Sequence, residues 1–344
     1  MTIFDLVTAP ELTAYWEPLN QDRAPYLGET LFPNQKKLGL DLKWLKGSKG
    51  LPVVLKLSAF DAQAVPRTRI GFEKISAEMP FFKESMYVDE ELRQELNKVL
   101  ESGNQAYIDS VINRVFDDEG TLIDAAAVAR ERMRMMLLTT GTIVMASNGQ
   151  TYTYDYGLTS AQKPTVGTSW STVTADIVGD IRTWQDERED ATGVRPTRAI
   201  CSRKTFGYIL KNTDIRNAVW GNSASAPINE AKAKQYLMDE LDLEVVVYTK
   251  RYKDESGATQ KFVPDDTFVL FPAGNLGSTW FGTTPEESDL MASASVDNVS
   301  IVDTGVAVTT MRRADPVNVE TKVTQIALPS FEAADQIVIA DVIA

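Results

Sequence analysis

The chain of 344 residues almost completely lacks two residue types on which much enzyme chemistry depends. It contains no histidine and one cysteine, Cys201. Without histidine it has no Ser-His-Asp or Cys-His catalytic arrangement, and it lacks the commonest metal ligand. A single cysteine excludes an intramolecular disulfide and a zinc cluster built from cysteines. We therefore expect no catalytic residues, no metal site and no cofactor, and we interpret Cys201 as a buried apolar residue at the end of a strand.

Long apolar runs and short catalytic motifs are also missing. No stretch approaches the roughly 18 uncharged apolar residues that cross a bilayer. Residues 1–12 have no basic segment followed by an apolar one. The chain has no Gly-x-Gly-x-x-Gly, Walker A, His-Glu-x-x-His or Gly-x-Ser-x-Gly motif. These absences predict a cytoplasmic protein that does not enter membranes, and they weigh against a nucleotide-binding enzyme.

Positive charge is concentrated in one part of this acidic chain, whose net charge is −13. Segment 36–83 contains ten basic and four acidic residues, a net +6, so the remainder carries −19. The basic segment could bind nucleic acid, or it could bind the acidic body of a neighbouring copy of the same chain. We favour the second interpretation, because a body with so much negative charge repels DNA.

The longest periodic pattern covers Gln105–Leu138. Apolar residues recur there at alternating steps of four and three, and Glu119 is the one charged residue on this seam. The pattern keeps its phase across Gly120, so we predict a single helix about 50 Å long. Glycine in a helix interior costs about 1 kcal/mol relative to alanine, which makes Gly120 a weak point and a candidate bend. We expect residues 117–119 to form a solvent-exposed helix face rather than a metal site.

The N-terminal part predicts extended elements without a core of their own. The four prolines within residues 1–35 predict an irregular arm that lies along another surface. Leu38–Phe60 predicts a β-hairpin with its turn at Lys46–Gly50, because apolar residues alternate on both sides of that turn. A two-stranded hairpin is marginal by itself in water, so this one, with its lysine-rich tip, needs a partner. Asp89 is expected to cap a short helix that ends at Leu100.

The rest of the chain predicts a mixed α+β protein. A hairpin is expected at 142–156, around the turn pair Asn148-Gly149, and helices alternate with strands between 174 and 271. Ser202 is expected to cap the helix Arg203–Leu210, and Asn229 to open the helix that ends at Leu241. Three late segments predict strands with no helix between them: Val299–Val308, Asn318–Leu328 and Gln336–Val342. We expect these strands to pair with the hairpin at 142–156, so that the chain leaves one lobe near residue 160 and returns to it near 300.

Two stretches carry a family likeness. The run Glu244–Gly282 has a strand, a polar hairpin, the sequence Phe-Val-Pro-Asp-Asp-Thr-Phe-Val-Leu, a glycine-bearing loop and an aromatic-glycine pair. The end of the chain contains Ala314-Asp315-Pro316 and QIALPSFEAADQIVIADV. Both resemble the lambda-type family of tailed-bacteriophage major capsid proteins, typified by protein E of lambda. The order of arm, basic hairpin, long helix and α/β lobe is also similar to the Hong Kong 97-type capsid fold.

This resemblance implies a division of the chain into five parts. They are an N-terminal arm 1–35, an extended hairpin (E-loop) with its return 36–88, a peripheral (P) domain 89–165 with the spine helix 105–138 and the hairpin 142–156, an axial (A) domain 166–298, and a return to the P domain with the C-terminal strands 299–344. The implied sheet of the P domain supports the spine helix, and the implied A domain is mixed α/β.

The resemblance also implies a function and partners. Many copies would form hexamers and pentamers that close into an icosahedral shell around double-stranded DNA, with little specific contact to that DNA. Scaffolding, portal and decoration proteins would be further partners, and membranes would not be involved. The implied location is the virion, after assembly in the cytoplasm of the host bacterium.

The candidate contact residues follow from this interpretation. The hairpin would lie across an adjacent subunit, where Lys43, Lys46 and Lys49 would meet carboxylates, and Arg67 and Arg69 would lie at a joint between capsomers. Two other classes of function stay open. One is a soluble α/β enzyme that uses carboxylates, and the other is a DNA-binding protein that uses the basic segment.

Overall fold

The computed structural model describes residues 7–21, 23–46, 73–88, 90–91, 94–95, 97–98, 105–147, 150–221, 226–292, 298–314 and 317–343. Helices and strands are mixed in these ranges, which confirms the predicted α+β class. The chain divides into two compact units. The first comprises Met1–Leu42, Ser76–Met133 and Ser278–Ser330, and the second comprises Lys43–Ile75, Arg134–Gly277 and Phe331–Ala344.

The elements are numbered here in chain order. The helices are α1 (Ala9–Gln21), α2 (Leu27–Leu31), α3 (Gln105–Thr140), α4 (Ile177–Thr192), α5 (Arg203–Lys211), α6 (Thr213–Trp220), α7 (Glu230–Leu241) and α8 (Pro285–Ala292). The strands are β1 (Asn34–Lys36), β2 (Asp41–Lys46), β3 (Glu73–Glu78), β4 (Phe81–Tyr87), β5 (Thr142–Ser147), β6 (Gln150–Asp155), β7 (Arg198–Cys201), β8 (Glu244–Val247), β9 (Arg251–Lys253), β10 (Thr259–Lys261), β11 (Thr267–Phe271), β12 (Thr279–Phe281), β13 (Val299–Val302), β14 (Val306–Ala314), β15 (Val317–Pro329) and β16 (Val338–Asp341).

Helix α3 confirms the long helix predicted from periodicity. It continues without interruption through Gly120. Asp117 and Asp118 are exposed, but Glu119 is buried like its apolar neighbour Val115 one turn earlier. The prediction that all three acidic residues face solvent is therefore wrong for Glu119. It lies on the seam itself, and the seam is the side of the helix that the first unit covers.

The N-terminal arm is helical rather than extended, so the prediction of an irregular arm is wrong. Helix α1 has Pro10 in its first turn, where a missing N–H costs no hydrogen bond, and it also accommodates Pro18. Leu12 and Trp16 of α1 are buried. The Trp16 indole donates a hydrogen bond to Asp124 of α3 at 3.1 Å. The arm's apolar side therefore packs on the long helix of the same chain.

The first unit contains a sheet in the order β1-β12-β15-β14-β13, and β4 also pairs with β15. Strand β15 is antiparallel to β14 along one edge and to β4 and β12 along the other. Side chains alternate between the two faces of a strand. The Gln325 side chain of β15 donates a hydrogen bond to the Ala126 carbonyl of α3 at 3.0 Å. Gln325 and Thr321 therefore lie on the sheet face that α3 covers.

The second unit contains a sheet in the order β16-β11-β7-β8, in which β7 and β8 are parallel. Its core includes stacked indoles of Trp170 and Trp184, with ring centroids 5.9 Å apart. The predicted caps Ser202 and Asn229 accept hydrogen bonds from the first turns of α5 and α7. Cys201 is buried at the end of β7 as predicted, and burial raises the pKa of its thiol to about 12.

The pairing predicted for the late strands is wrong. β5 and β6 form a two-stranded sheet with each other, whereas β13, β14 and β15 pair among themselves and β16 joins the sheet of the second unit. Strand β15 has no edge free for the hairpin at 142–156, because β14 lies along one edge and β4 and β12 share the other. The predicted turn Asn148-Gly149 lies outside the described residues.

Little of the predicted basic hairpin falls in the described part of the chain. β2 covers its first strand, and among the described strands β2 pairs with β3. The predicted return strand at 51–57 lies outside the described residues. Of the helix predicted from Asp89 to Leu100, residues 90, 91, 94, 95, 97 and 98 are helical, and its other residues lie outside the described ones.

Candidate subunit-contact surface

The predicted contact residues fall in two groups. Lys43 and Lys46 belong to strand β2. Lys49 and both arginines, Arg67 and Arg69, lie outside the described residues. The contacts predicted for these five cations therefore remain predictions.

Gly120 lies inside α3 and is buried. The atom nearest to the position of an added Cβ is Cδ1 of Trp16, at 3.7 Å, an ordinary van der Waals distance. The helix thus has room for a side chain at this position, and packing does not explain the glycine.

A surface that the sequence reasoning did not identify lies across three strands of the first sheet. Tyr87 on β4 is opposite Glu320 on β15, which is opposite Met311 on β14. Residues opposite one another in a sheet project from the same face, which here is the face away from Thr321 and α3. Tyr87 is 49% exposed and Met311 36% exposed. We call these three residues and Arg313 the contact strip.

Arg313 connects the polar and aromatic parts of the contact strip. Its Nε donates to a Glu320 carboxylate oxygen at 2.9 Å. Its guanidinium carbon lies 5.2 Å from the centroid of the Tyr87 ring, within the range of a cation–π contact. The strip therefore offers an ordered Arg–Tyr–Met surface, and these residue types are enriched at the centres of protein interfaces.

The rest of strand β4 is also uncovered. Phe81 and Met86 are exposed, and among the described strands β4 pairs on one side, with β15. An edge strand with exposed apolar side chains is a template for association. Sequence reasoning missed this surface because Met311 is a single apolar residue between Thr310 and Arg312, and Tyr87 belongs to the short apolar run Met86–Val88, which has no distinctive pattern. They come together only through the pairing of their strands with β15.

On the face of the first sheet opposite to the contact strip, a buried arginine of α3 binds the sheet. Arg130 is 1% exposed, and its two Nη atoms donate to Gln325 of β15 at 2.9 Å and to Asp303 at 2.8 Å. Its guanidinium also lies 5.4 Å from the centroid of the Phe281 ring. Burial lowers the pKa of Arg130, and the Asp303 carboxylate opposes that shift. The arrangement locks the turn between β13 and β14 to the long helix.

Helix α8 is held to the sheet by a second, partly buried ion pair. Glu286 accepts hydrogen bonds from Lys322 at 2.6 Å and from the Thr324 hydroxyl at 3.0 Å. Burial raises the pKa of Glu286, but these hydrogen bonds and one to its own backbone outweigh burial and leave the pKa below its ordinary value. Ion pairs thus hold α3 on one face of the central sheet and α8 on the other.

A groove in the second unit has a volume of about 460 Å³. It is bordered by Asp265, Asp266 and Asp341, but Asp265 binds Lys261 and Asp266 binds Lys204. No group of acidic or cysteine residues in the described ranges is arranged to hold a metal ion. The same residues include no helix that is both long and apolar enough to span a membrane.

The fold is shared with solved structures of phage and prophage proteins. A protein from Escherichia coli CFT073 assigned as a prophage capsid protein has a TM-score of 0.61, with 14% identity over 98% of this chain and 99% of its own. A phage-related protein from Bordetella bronchiseptica RB50 has a TM-score of 0.57, with 14% identity over 98% and 97%. The capsid of cyanophage A-1(L) has a TM-score of 0.53, with 14% identity over 93% of each chain.

These likenesses define the class, a protein with the Hong Kong 97-type capsid fold, and confirm the predicted fold. The family model for phage major capsid protein E matches residues 8–342. The chain therefore belongs to the phage major capsid protein E family. Among curated proteins no sequence matches it. The resemblance seen in Glu244–Gly282 and at the chain end is confirmed by a match that covers nearly the whole chain.

Proposed function

We propose that copies of this chain assemble through hexamers and pentamers into an icosahedral shell that encloses double-stranded DNA. The contact strip carries the proposal. In an isolated subunit it leaves Tyr87 and Met311 in water beside an edge strand that is paired on one side in the described structure. A neighbouring copy that covers these groups removes apolar surface from water and pairs the edge.

The five parts of the chain have the roles implied by the family. Residues 1–35 form the arm, 36–88 the E-loop and its return, 89–165 and 299–344 the P domain and C-terminal strands, and 166–298 the A domain. Lys43, Lys46 and Lys49 would meet carboxylates of an adjacent subunit, and Arg67 and Arg69 would lie at a joint between capsomers. The net charge of −13 supports this, because a basic loop finds acidic surface on every copy.

The protein would act through contacts rather than catalysis. Scaffolding, portal and decoration proteins are its proposed partners besides its own copies, and packaged DNA meets it with little specific contact. Assembly would take place in the cytoplasm of the host bacterium, and the finished shell belongs to the virion.

Electron microscopy of the purified chain at increasing concentration tests self-assembly. We expect rings, sheets or shells, and a chain that stays monomeric at high concentration contradicts the proposal. Met311→Glu should reduce assembly at least tenfold, because a carboxylate in a covered surface is costly to desolvate. It should lower the thermal unfolding temperature of the subunit only slightly, because the new carboxylate lies opposite Glu320 but at an exposed position beside Arg313.

A matched control is available in the second unit. Met238 on α7 is 39% exposed, close to the 36% of Met311, so Met238→Glu makes the same chemical change at a similar exposure. We expect this control to assemble like the unchanged chain. If both variants lose assembly equally, the added charge causes the loss, and the contact strip does not.

The two other classes of function make different predictions. A DNA-binding protein that uses the basic segment would bind DNA at physiological salt, with a salt dependence that corresponds to several phosphate contacts. We expect weak binding and a shallow salt dependence. A carboxylate enzyme needs an acidic group free to react in a pocket, whereas Asp265 and Asp266 in the groove of the second unit are engaged by lysines.

A further inference from the structure

The buried carboxyl group of Glu119 lacks the solvent and hydrogen bonds that stabilise a negative charge. Its side chain is 2% exposed, and neither carboxylate oxygen forms a hydrogen bond of normal geometry. On the same face of α3, one turn away on either side, lie the buried apolar residues Val115 and Leu122. Ionised carboxylates are buried in proteins when they are paired or hydrogen-bonded, and otherwise they take up a proton.

Thr321, which faces Glu119 from the sheet, also lacks a hydrogen-bond partner for its side chain. Thr321 of β15 is fully buried, and its hydroxyl oxygen has no hydrogen-bond partner. Its neighbours across the sheet are Thr310 on β14 and Met86 on β4, both uncharged. A protonated carboxyl carries an O–H group that can donate to the Thr321 oxygen. An ionised carboxylate can only accept the Thr321 O–H, whereas a protonated carboxyl can either donate to the Thr321 oxygen or accept from its O–H.

Six charged groups on the elements around Glu119 are exposed: Asp117 and Asp118 of α3, Arg312 of β14, Glu84 of β4, and Glu11 and Glu17 of α1. Three others are half-buried. Glu320 and Lys322 project from the sheet face opposite to Thr321, and Asp124 of α3 is paired with Arg23. Burial is the main cause that raises the pKa of Glu119 to about 7. The Thr321 hydroxyl opposes the shift, and the nearby charge of Asp118 adds to it.

We propose that Glu119 is a proton-operated latch between the long helix and the central sheet. With a proton bound, the neutral side chain lets α3 pack on β15. Loss of the proton puts an unpaired charge into that interface and loosens it. The latch goes beyond capsid assembly and does not depend on it, because its effect is a property of the single folded chain.

The sign of the pH effect follows from the two states. The unfolded chain releases the Glu119 proton near the ordinary glutamate pKa of 4.5, and the folded chain holds it to about 7. Stability from this group is therefore complete below 4.5 and is lost as the pH rises to about 7. For this difference, the folded-to-unfolded ratio of the unchanged chain should fall about 70-fold between pH 5 and pH 8 relative to Glu119→Gln.

Denaturant unfolding of the full chain and of Glu119→Gln at pH 5, 6, 7 and 8 tests the latch. We expect the free energy of unfolding of the unchanged chain to fall steadily over this pH range relative to that of Glu119→Gln. Asp118→Asn, at the exposed neighbour, should keep most of the pH dependence. Thr321→Val should move the midpoint to higher pH, because it removes the group that favours the ionised form.

Infrared spectroscopy gives a direct readout on the folded chain. A protonated-carboxyl band that is present at pH 6, declines towards pH 8 and is absent from Glu119→Gln supports the latch. This measurement decides the question even if the glutamine variant does not fold. Parallel pH profiles of the unchanged chain and Glu119→Gln, or no such band at pH 6, overturn the proposal.

Discussion

The buried guanidinium of Arg130 donates to the carboxylate of Asp303 at 2.8 Å, although Asp303 itself is partly exposed. The pair joins the middle of α3 to the turn before β14. Removing one partner of a buried ion pair leaves the other charge without compensation, which typically costs about 3–5 kcal/mol.

Asp303→Ala should therefore destabilise the subunit by about 3 kcal/mol, at the lower end of that range because Gln325 still accepts from Arg130. Asp303→Asn is the matched variant, since it keeps an acceptor oxygen and tolerates the left-handed backbone at φ 51°. It should cost about half as much. Urea unfolding of both variants measures the difference, and an equal loss in the two would mean that the charge of Asp303 is unimportant.

Trp16→Ala should release the N-terminal arm from the long helix. The indole is buried and donates to Asp124, and a buried tryptophan truncated to alanine costs about 3–5 kcal/mol. Leu19, an exposed residue of the same helix, supplies the control, because Leu19→Ala should change stability by less than about 0.5 kcal/mol. Hydrogen exchange of α1 should rise in the tryptophan variant only. Unchanged protection of α1 would contradict this account of the arm.

The sequence was sufficient for features that depend on local patterns. The length of α3, the caps Ser202 and Asn229 and the buried Cys201 follow from periodicity, cap chemistry and composition, and the structure confirms them. The helical arm was missed because only Pro10 and Pro18 fall within a helix, the first in its opening turn, whereas Pro25 and Pro33 lie outside α1 and α2. It was also missed because Trp16 finds its partner about a hundred residues further along the chain.

Strand pairing and the contact strip could not be predicted for a different reason. Which strands lie beside β15 depends on competition for its two edges, and no local pattern records that competition. Tyr87 and Met311 are far apart in sequence and meet only through that pairing. Glu119 was visible as a break in the apolar seam, but its burial depends on how closely the sheet covers that side of α3.

Acid should weaken the contact between α8 and the sheet through Glu286. Its pKa is below the ordinary value of 4.5, so the stability it contributes is present above that value and is lost as the pH falls through the folded pKa. Glu286→Gln should lose about 2 kcal/mol at pH 7 and show a flatter acid limb, because a hydrogen bond to a charged group contributes about 1.5–3 kcal/mol. Asp289→Asn, at an exposed position of the same helix, is the control for unfolding curves between pH 7 and pH 3. If the stability of all three proteins falls in parallel between pH 7 and pH 3, groups other than Glu286 cause the acid sensitivity.

Gly120→Ala should stabilise the subunit by about 1 kcal/mol, because it removes the helix-interior cost of glycine while its new methyl group meets Trp16 at an ordinary distance. Gly141→Ala is the opposing control, since that glycine has φ 72° and a methyl group there would collide with Leu158. Thermal unfolding should therefore shift upward for the first variant and downward for the second. The bend proposed at Gly120 predicts more than this: shells of the more stable variant should form, or change shape, less readily than shells of the unchanged chain. A variant that is both more stable and fully competent in assembly would show that the shell does not need a flexible helix at this position, and the glycine would then be a tolerated flaw in a straight rod.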